Sequence, residues 1–425
     1  MIHFGIIGGG SIFSPELIDL LTKELDVFGE LDIKFMDIDK PRQAVVGGLC
    51  ERIIDNQGDR ISDLIHISYV DTYEEAIAGS DYILIQFRVG GEDARIADEL
   101  LGKKYKIPFV ETVSVCGIAT YLRSYPEVEK IAALINELAP DAWVLNFANP
   151  AELIAESFSR LGVRHVVGVC NASTRLLMDL REQMGFPQDA DLYMNWRGLN
   201  HLTVIDSFRV NGEEKMSTIL SKIGDYETDK IPFPAEMCRR FGFLPNQYFQ
   251  YYYLKRDIIA KEQKAENVRS QIVKEINAKL LKQYEKTSEV PADLTKRGGS
   301  GYSKTVVEVI LSLHTGDRKV HYIVTQNKGS ITELPYDSFV EAPCVVDKNA
   351  VMPIACEKLP DIAAPLIRTM KAFETKLIEA ALEQDLNKLY GSMMIHPLLG
   401  SHDLVNPLMA EILEKNKSYL PGGLI

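Results

Sequence analysis

The sequence predicts an α/β fold in which a doubly wound parallel sheet forms the N-terminal part and an α+β domain follows it. Over the first 170 residues, short apolar runs alternate with stretches of helical spacing. Such runs are typical of strands in a parallel sheet that helices cover on both faces. A glycine-rich turn directly after the first run, and a second half of mixed strand and helix patterns, complete the prediction.

The N-terminal elements follow one another in the order that this architecture needs. The predicted strands span residues 2–8, 31–39, 66–70, 82–87, 143–148 and 165–169. Apolar residues at helical spacing predict the intervening helices at 15–25, 41–56, 92–104 and 126–138. Strands that alternate with helices indicate successive crossover units and therefore a parallel sheet.

The second half has a different pattern, which predicts a second domain. Two adjacent strands or a hairpin are expected over 191–210, and further strands at 320–327 and 339–346. The predicted helices span 247–285, 303–313, 360–386 and 402–415. We place the domains at 1–170 and 171–425, and because no Pro/Gly linker separates them we expect an extensive interface with a site between them.

Composition and charge exclude several classes of function. The chain has 47 Lys and Arg against 60 Asp and Glu, a net charge of −13, and no basic stripe for a nucleic acid. It has no apolar run long enough for a membrane span. Its six cysteines are scattered rather than paired in a zinc or disulfide pattern, which favours a cytoplasmic location.

The turn after the first strand predicts a Rossmann-like site for NAD. Gly8, Gly9, Gly10 and Ser11 lie where a backbone can approach a pyrophosphate at a helix N-terminus. Asp37 ends the second predicted strand, where an acid binds ribose hydroxyls and disfavours a 2′-phosphate. The alternative is a plain glycine turn with an exposed acid.

Asn149 and Pro150 follow a later strand, at the edge of the sheet where α/β proteins bind ligands. The pair resembles the Asn-Pro of lactate and malate dehydrogenases, in which the Asn helps to place nicotinamide and substrate. A simple strand-end turn is the alternative.

Cys170 and His201 are candidate ligands for a divalent metal ion. Cys170 ends another short strand, beside a helix start at Ser173 whose dipole favours a thiolate. Thiolate and imidazole suit a borderline ion, with oxygens from substrate and water completing the set. On spacing alone, a buried cysteine and a hydrogen-bonded histidine remain the alternative.

Two further kinds of side chain are candidates for acid/base and anion chemistry. The run 246–254 carries four tyrosines, among them Tyr248, and a metal-bound alkoxide or an arginine would lower the pKa of such a phenol. Arg95 and Arg269 could pair with an anionic group of a substrate. The alternatives are an aromatic core stripe and helix-surface ion pairs.

Together, these segments resemble glycoside hydrolase family 4, and most closely its 6-phospho-β-glucosidase branch. The resemblance runs almost end to end, through a series of motifs in one order: GGGSIFSPEL, FRVGGEDARIADELLGKKYKIPFVET, DAWVLNFANPAELI, VCNAS, GLNHLTV, LPNQYFQYYY, TKRGGSGYS, QNKGSITELPYDSFVEAPCVV and MIHPLLGSHD. The sequence departs from the family pattern at Phe13, at 113–117, at Glu152 and at Ser173.

The resemblance implies a role for each matched residue. Cys170 and His201 correspond to metal ligands and Tyr248 to the catalytic base. Positions that contact the sugar or its phosphate are Arg95, Asn149, Asn171 and Arg269, and Asn171 indicates the β-specific branch. The implied cofactors are NAD and a divalent ion, Mn²⁺, the implied substrate is a 6-phosphorylated glycoside, and the implied assembly is a homodimer or homotetramer.

The implied mechanism is oxidation of the sugar at C3 by NAD⁺, removal of the C2 proton, elimination of the aglycone, addition of water and return of the hydride. Two other classes stay open at this point. A 2-hydroxy-acid dehydrogenase of the lactate/malate type would share Asp37 and Asn149 but would accumulate NADH. A non-catalytic NAD-sensing protein would bind NAD without turnover.

Overall fold

The computed structural model describes residues 1–225, 231–299 and 301–424. The strands in this part of the chain are β1 (Ile2–Ile7), β2 (Leu31–Met36), β3 (Ile65–Val70), β4 (Tyr82–Ile85), β5 (Trp143–Asn146), β6 (Val166–Gly168), β7 (Leu192–Leu199), β8 (Leu202–Val210), β9 (Glu213–Glu214), β10 (Leu244–Pro245), β11 (Val320–Gln326), β12 (Phe339–Asp347) and β13 (Ala350–Pro353).

The helices in the described ranges are α1 (Ser14–Thr22), α2 (Leu25–Phe28), α3 (Lys40–Asn56), α4 (Asp59–Ser62), α5 (Tyr73–Ile77), α6 (Gly91–Tyr105), α7 (Ser114–Leu138), α8 (Ala151–Arg160), α9 (Ala172–Met184), α10 (Met216–Lys222), α11 (Ala235–Phe241), α12 (Gln250–Tyr253), α13 (Lys255–Lys264), α14 (Arg269–Tyr284), α15 (Leu294–Arg297), α16 (Tyr302–Thr315), α17 (Ala364–Glu383), α18 (Leu386–Ile395) and α19 (His402–Asn416). A 3-10 helix of one turn, Gln247–Phe249, precedes α12.

One mixed sheet runs through the whole molecule. Its order is β10-β8-β7-β12-β11-β6-β5-β4-β1-β2-β3, with β13 beside β12 and β9 beside β8. The strands from β3 to β6 are parallel, and β11 joins β6 antiparallel through the pair Val324 and Gly168. The parallel and the mixed halves therefore share a continuous hydrogen-bonded sheet across the predicted boundary at residue 170, and the division at that residue stays a prediction.

The central strands of the parallel half are buried on both faces, as their apolar runs predict. All four residues of β4 are buried, and successive residues point to opposite faces of the strand. Ile83 and Ile85 pack in one apolar core and Leu84 in the other. Helices on both sides supply the rest of these cores, which is the doubly wound arrangement expected from the sequence.

The predicted N-terminal strands are all present. The helix expected at 126–138 begins earlier, at Ser114, so most of the segment 113–117 that departs from the family pattern lies in the first turn of α7. Ser114 has φ +60°, in the left-handed region. The helices at 216–222 and 235–241 were not predicted, because each spans only seven residues, too few for a helical apolar period to stand out.

The hairpin predicted over 191–210 is formed by β7 and β8. The long helix expected over 247–285 is divided into α12, α13 and α14, and the one expected over 360–386 ends at Glu383 before α18. The apolar stripe of α17 packs inside the chain, with Met370, Phe373 and Leu377 buried in the core. The homodimer or homotetramer that the resemblance implies stays a prediction.

None of the helices in the described ranges is long and apolar enough to cross a membrane.

Candidate active site

A large cavity of about 830 Å³ lies at the carboxyl ends of the central parallel strands. The residues after β1, β4, β5 and β6 all reach its lining: Gly8, Arg88, Asn149 and Cys170. In open α/β sheets, ligands bind in the crevice at this edge, where the strand order reverses between β1 and β4. The C-terminal half closes the cavity with side chains from α14, α16 and the 3-10 turn.

Eleven of the twelve site residues predicted from the sequence line this cavity: Gly8, Gly10, Ser11, Asp37, Arg95, Asn149, Cys170, Asn171, His201, Tyr248 and Arg269. Gly9 is the exception, since it packs against Phe35 of β2 and a side-chain carbon at this position would lie 2.8 Å from that ring's Cβ. The structure thus brings together residues from both halves of the chain, up to 261 positions apart in sequence from Gly8 to Arg269.

The glycine turn holds Asp37 in place at one end of the cavity. The Gly10 amide donates to Oδ2 of Asp37 at 2.8 Å, and the Asp39 amide donates to Oδ1 at 2.9 Å. A Cβ on Gly10 would lie 2.9 Å from Oδ2, so only glycine permits this approach. Gly8 has φ +92° and its Cα faces the backbone of Phe87. This geometry leaves Asp37 fixed beside the turn, where a ribose would lie.

Cys170 and His201 meet at the centre of the cavity. Sγ of Cys170 lies 3.6 Å from Nε2 of His201, and both side chains are buried. The other ring nitrogen, Nδ1, is 2.7 Å from Oγ1 of Thr112, which fixes the orientation of the imidazole. The two donor atoms therefore face the same point from β6 and from the turn between β7 and β8.

This pair fits a divalent metal ion. First-row ions bind thiolate sulfur at about 2.3 Å and imidazole nitrogen at about 2.1 Å, so donors 3.6 Å apart can share one ion at an open angle. Burial lowers the pKa of His201 to about 4, which keeps the imidazole neutral and available as a ligand. No group of three or more His, Cys, Asp or Glu side chains suited to a metal occurs in the described ranges. The remaining positions on an ion here would be open to ligand oxygens.

The thiol itself lies in a mixed environment. Burial raises the pKa of Cys170 to about 12, and the Glu341 carboxylate adds to this, while hydrogen bonds with the Ala172 amide, Asn200 and Tyr302 lower it. The bare site therefore holds a protonated thiol. Binding of a cation would release that proton, as is general for thiolate ligands.

Tyr248 stacks directly on the histidine. Its ring centroid is 3.8 Å from that of His201 and the rings are within 4° of parallel. The Tyr248 amide donates to Oδ1 of Asn246 at 3.0 Å, which fixes the 3-10 turn that carries it. Burial raises the pKa of Tyr248, helped by Tyr251, Cys170 and Glu111, whereas the positive charge of Arg95 lowers it. Tyr248 is the tyrosine of the 246–254 run that lines the cavity.

A cluster of ion pairs borders the cavity between α6 and the loop before α7. Glu111 is paired with Arg88 and lies 3.4 Å from Nη1 of Arg95, whose Nε donates to Glu99 at 3.0 Å. Although burial raises it, the charges of Arg88, Arg95 and Arg297 hold the pKa of Glu111 well below its usual range. Arg95 is therefore a buried, charge-compensated residue rather than a free cation.

Arg269, Asn149 and Asn171 lie on other parts of the lining. Arg269 begins α14 at the exposed rim of the cavity and donates through Nη2 to the Arg297 carbonyl at 3.0 Å. This contact is with a carbonyl rather than a carboxylate, so it does not neutralise the charge of Arg269. Asn171 is the N-cap residue of α9, directly after Cys170.

Sequence reasoning missed several residues that border the cavity. Arg88, Glu111 and Thr112 lie in the segments after β4 and before α7, and Arg297 and Tyr302 flank the glycines 298–299. Arg88 could have been identified from its position just after a parallel strand, as Asn149 was. Thr112 and Tyr302 gave no local signal, because their roles depend on His201 and Cys170, which are distant in sequence.

Comparison with known proteins identifies the family. The family model described as "Family 4 glycosyl hydrolase" matches residues 3–186, and the one described as "Family 4 glycosyl hydrolase C-terminal domain" matches residues 196–399. A 6-phospho-β-glucosidase of Thermotoga maritima is 31% identical over 428 residues, which cover 99% of this chain and 100% of the relative. The chain belongs to glycosyl hydrolase family 4. This confirms the resemblance drawn from the motifs.

Other members of family 4 are similar over comparable lengths. A probable 6-phospho-β-glucosidase of Bacillus subtilis is 30% identical, covering 98% of this chain and 96% of the relative. The structure of the Thermotoga maritima enzyme with manganese, NAD⁺ and glucose-6-phosphate superposes with a TM-score of 0.91 at 31% identity, covering 99% of both chains. Malate dehydrogenase of Plasmodium falciparum, 13% identical, shares the fold alone, with a TM-score of 0.53 over 90% of this chain and 99% of that one. The α/β prediction is thereby confirmed.

Proposed function

We propose that this family-4 glycosyl hydrolase is a 6-phospho-β-glucosidase that uses NAD⁺ and a divalent ion, Mn²⁺. The observation that carries the proposal is the joint placement of Cys170, His201 and Tyr248 in the cavity that the glycine turn and Asp37 also line. The 31% identical relative named as a 6-phospho-β-glucosidase supports the substrate class, and its structure with manganese, NAD⁺ and glucose-6-phosphate supports the cofactors. Asn171 supports β rather than α specificity through the family pattern.

Bound NAD⁺ would supply a hydride acceptor for C3 of the sugar, and a divalent ion would supply Lewis acidity toward the sugar oxygens. Cys170 and His201 would hold the ion, and Asp37 would hold the ribose of NAD⁺. Tyr248 would accept the proton from C2, and Arg269 would attract the sugar phosphate at the rim. Loss of that proton next to an oxidised C3 permits elimination of the aglycone without the two carboxylates that other glycosidases use.

A panel of chromogenic glycosides tests the proposal. The enzyme is incubated with NAD⁺, Mn²⁺ and a thiol reductant, and each β-glucoside is offered with and without a 6-phosphate. We expect aglycone release from the 6-phosphorylated β-glucosides with no net accumulation of NADH, because the hydride returns to the product. Steady NADH formation would instead indicate a dehydrogenase, and NAD binding without turnover would indicate a sensing protein.

Cofactor choice is a separate prediction. Because the Asp37 carboxylate beside the glycine turn would repel the 2′-phosphate of a nucleotide bound there, we expect NAD⁺ to activate the enzyme at a concentration about 10-fold or more below that of NADP⁺. Asp37→Asn keeps the shape of the side chain but removes its charge, so the activating concentrations of NAD⁺ and NADP⁺ should become more similar. Titration of both cofactors over the same range measures these concentrations, and equal activation of the wild-type enzyme would contradict the placement of Asp37.

We also infer a cytoplasmic location. The six cysteines are free, and a thiolate metal ligand is open to oxidation, so both features favour a reducing compartment.

A further inference from the structure

The backbone that carries His201 is in a conformation that this residue does not favour. Asn200 and His201 form the two-residue turn between β7 and β8, and His201 has φ +69°. The second position of such a turn favours glycine, because a side chain in the left-handed region costs roughly 1–2 kcal/mol. Contacts outside the hairpin must therefore stabilise the turn.

Three elements contact this turn. The backbone N–H of Asn200 donates to Oε2 of Glu152 on α8 at 2.5 Å. The side-chain Nδ2 of Asn200 donates to Oε2 of Glu341 on β12 at 2.9 Å. The His201 ring is held by Thr112. Glu152 thus restrains the peptide group between Leu199 and Asn200, at the start of the turn that carries His201.

Glu152 is fixed in turn by a buried lysine. Oε1 of Glu152 lies 2.5 Å from Nζ of Lys371 on α17, and the two side chains are 3% and 2% exposed. Lys371 also lies 2.8 Å from Glu374 and 3.3 Å from Glu156, whose other carboxylate oxygen is paired with Arg160. With one oxygen on the lysine and the other on the Asn200 amide, the Glu152 carboxylate has little freedom to move.

We propose that Glu152, fixed by Lys371, is a positioning residue that holds the Asn200–His201 turn in its left-handed conformation and so directs Nε2 of His201 toward Cys170. This inference rests on the proposed function, in which Cys170 and His201 bind a metal ion. Groups that orient metal ligands from outside the ligand set typically change metal affinity by about 10- to 100-fold when they are removed. Because Glu152 also lies outside the ligand set, its removal should lower Mn²⁺ affinity by about this factor.

Two charge-matched double variants test the role. Glu152→Gln with Lys371→Met removes both charges but keeps an oxygen that accepts from the Asn200 amide. Glu152→Met with Lys371→Met removes the same charges and the acceptor as well. We expect the first variant to bind Mn²⁺ within about threefold of wild type and the second to bind it about 10- to 100-fold more weakly, as measured by titration calorimetry. Equal Mn²⁺ affinity of the two would overturn the proposal.

Glu156→Gln is the control for a purely structural role. Glu156 contacts the same lysine but bonds to Arg160 and to the Phe339 amide instead of the turn. We expect a lower melting temperature with Mn²⁺ affinity within about twofold of wild type. A loss of affinity as large as that of the double methionine variant would show that the cluster acts only through stability, and the positioning role would be abandoned.

Hydrogen exchange separates this proposal from the proposed function, because it needs no metal. In metal-free protein, the Asn200 and His201 amides should exchange at least about tenfold faster in the double methionine variant than in its glutamine counterpart. If wild type takes up no Mn²⁺, the metal-dependent function fails and the exchange result alone decides the positioning role. Equal exchange in the two variants would overturn that role even if wild type binds Mn²⁺.

Discussion

Replacement of Cys170 by Ser or His201 by Ala is expected to lower Mn²⁺-dependent turnover by at least about 10³-fold, while NAD⁺ affinity stays within about twofold of wild type. A Lewis acid contributes several kcal/mol to stabilising charge in a transition state, and about 4 kcal/mol corresponds to 10³ in rate. With two protein donors 3.6 Å apart at the proposed site, loss of either leaves a single ligand. Asp37 and the glycine turn are held by their own hydrogen bonds, so NAD⁺ binding should persist.

The measurements are turnover of a 6-phospho-β-glucoside over a range of Mn²⁺ concentrations and direct titration of NAD⁺. Cys344→Ser is the matched control, because Cys344 is equally buried and contacts the Ala342 carbonyl far from the cavity lining. This variant should keep wild-type dependence on Mn²⁺. Wild-type rates in a chelator-stripped, metal-free preparation would contradict the assignment of Cys170 and His201 to a metal.

The fold could be predicted wherever local pattern determines structure. The central strands β1, β4, β5 and β6 are short apolar runs because both of their faces are buried, and this is visible in sequence. The join between the two halves could not be predicted, because β6 and β11 meet through one residue pair, Gly168 with Val324, far apart in the chain. Pairing between distant strands depends on tertiary packing and leaves no local periodicity.

The same distinction holds for the site. Gly8, Asn149 and Cys170 each follow a parallel strand, so topology alone places them at one edge of the sheet. The charges around Arg95 could be predicted only in part: Glu92 and Glu99 lie on its own helix at helical spacing, whereas Glu111 comes from the next loop. From the sequence, Arg95 could pair either with an anionic substrate group or with a carboxylate of its own helix, and the structure contains pairs of the second kind. Glu152 was visible only as a departure from the family pattern, and its contact with Lys371 explains how a buried acid is accommodated there.

Tyr248→Phe is expected to lower turnover by about 10²- to 10⁴-fold, the usual contribution of a positioned acid or base. The substitution removes only the hydroxyl, so the ring should still stack on His201 and the protein should fold normally. Because burial raises the pKa of Tyr248 and the Arg95 charge lowers it, the phenol needs a nearby cation to act as a base. Turnover by Tyr248→Phe should therefore be slower than that of the wild-type enzyme at every pH at which the wild type is active.

Deuterium exchange identifies the step that Tyr248 performs. If Tyr248 accepts the C2 proton, hydrolysis in D₂O places deuterium at C2 of the product sugar, and omission of NAD⁺ abolishes the exchange, since the C2 proton is acidic only beside an oxidised C3. Glycosidases that use two carboxylates never break the C2–H bond. Tyr248→Phe should lower exchange and turnover together, whereas a residue that acts on the leaving group would lower turnover alone.

The neighbouring tyrosines on α12, the short helix that follows the 3-10 turn of Tyr248, provide matched controls. Tyr251 lies with its ring 5.8 Å from that of Tyr248, and the Tyr252 hydroxyl donates to the sulfur of Met370 at 3.6 Å; neither lines the cavity. Tyr251→Phe and Tyr252→Phe should keep exchange within about twofold of wild type. If Tyr248→Phe keeps full exchange and one of these variants loses it, the catalytic base would be that tyrosine instead of Tyr248. Absence of deuterium during active wild-type hydrolysis would contradict the elimination mechanism itself, because no other step in it labels C2.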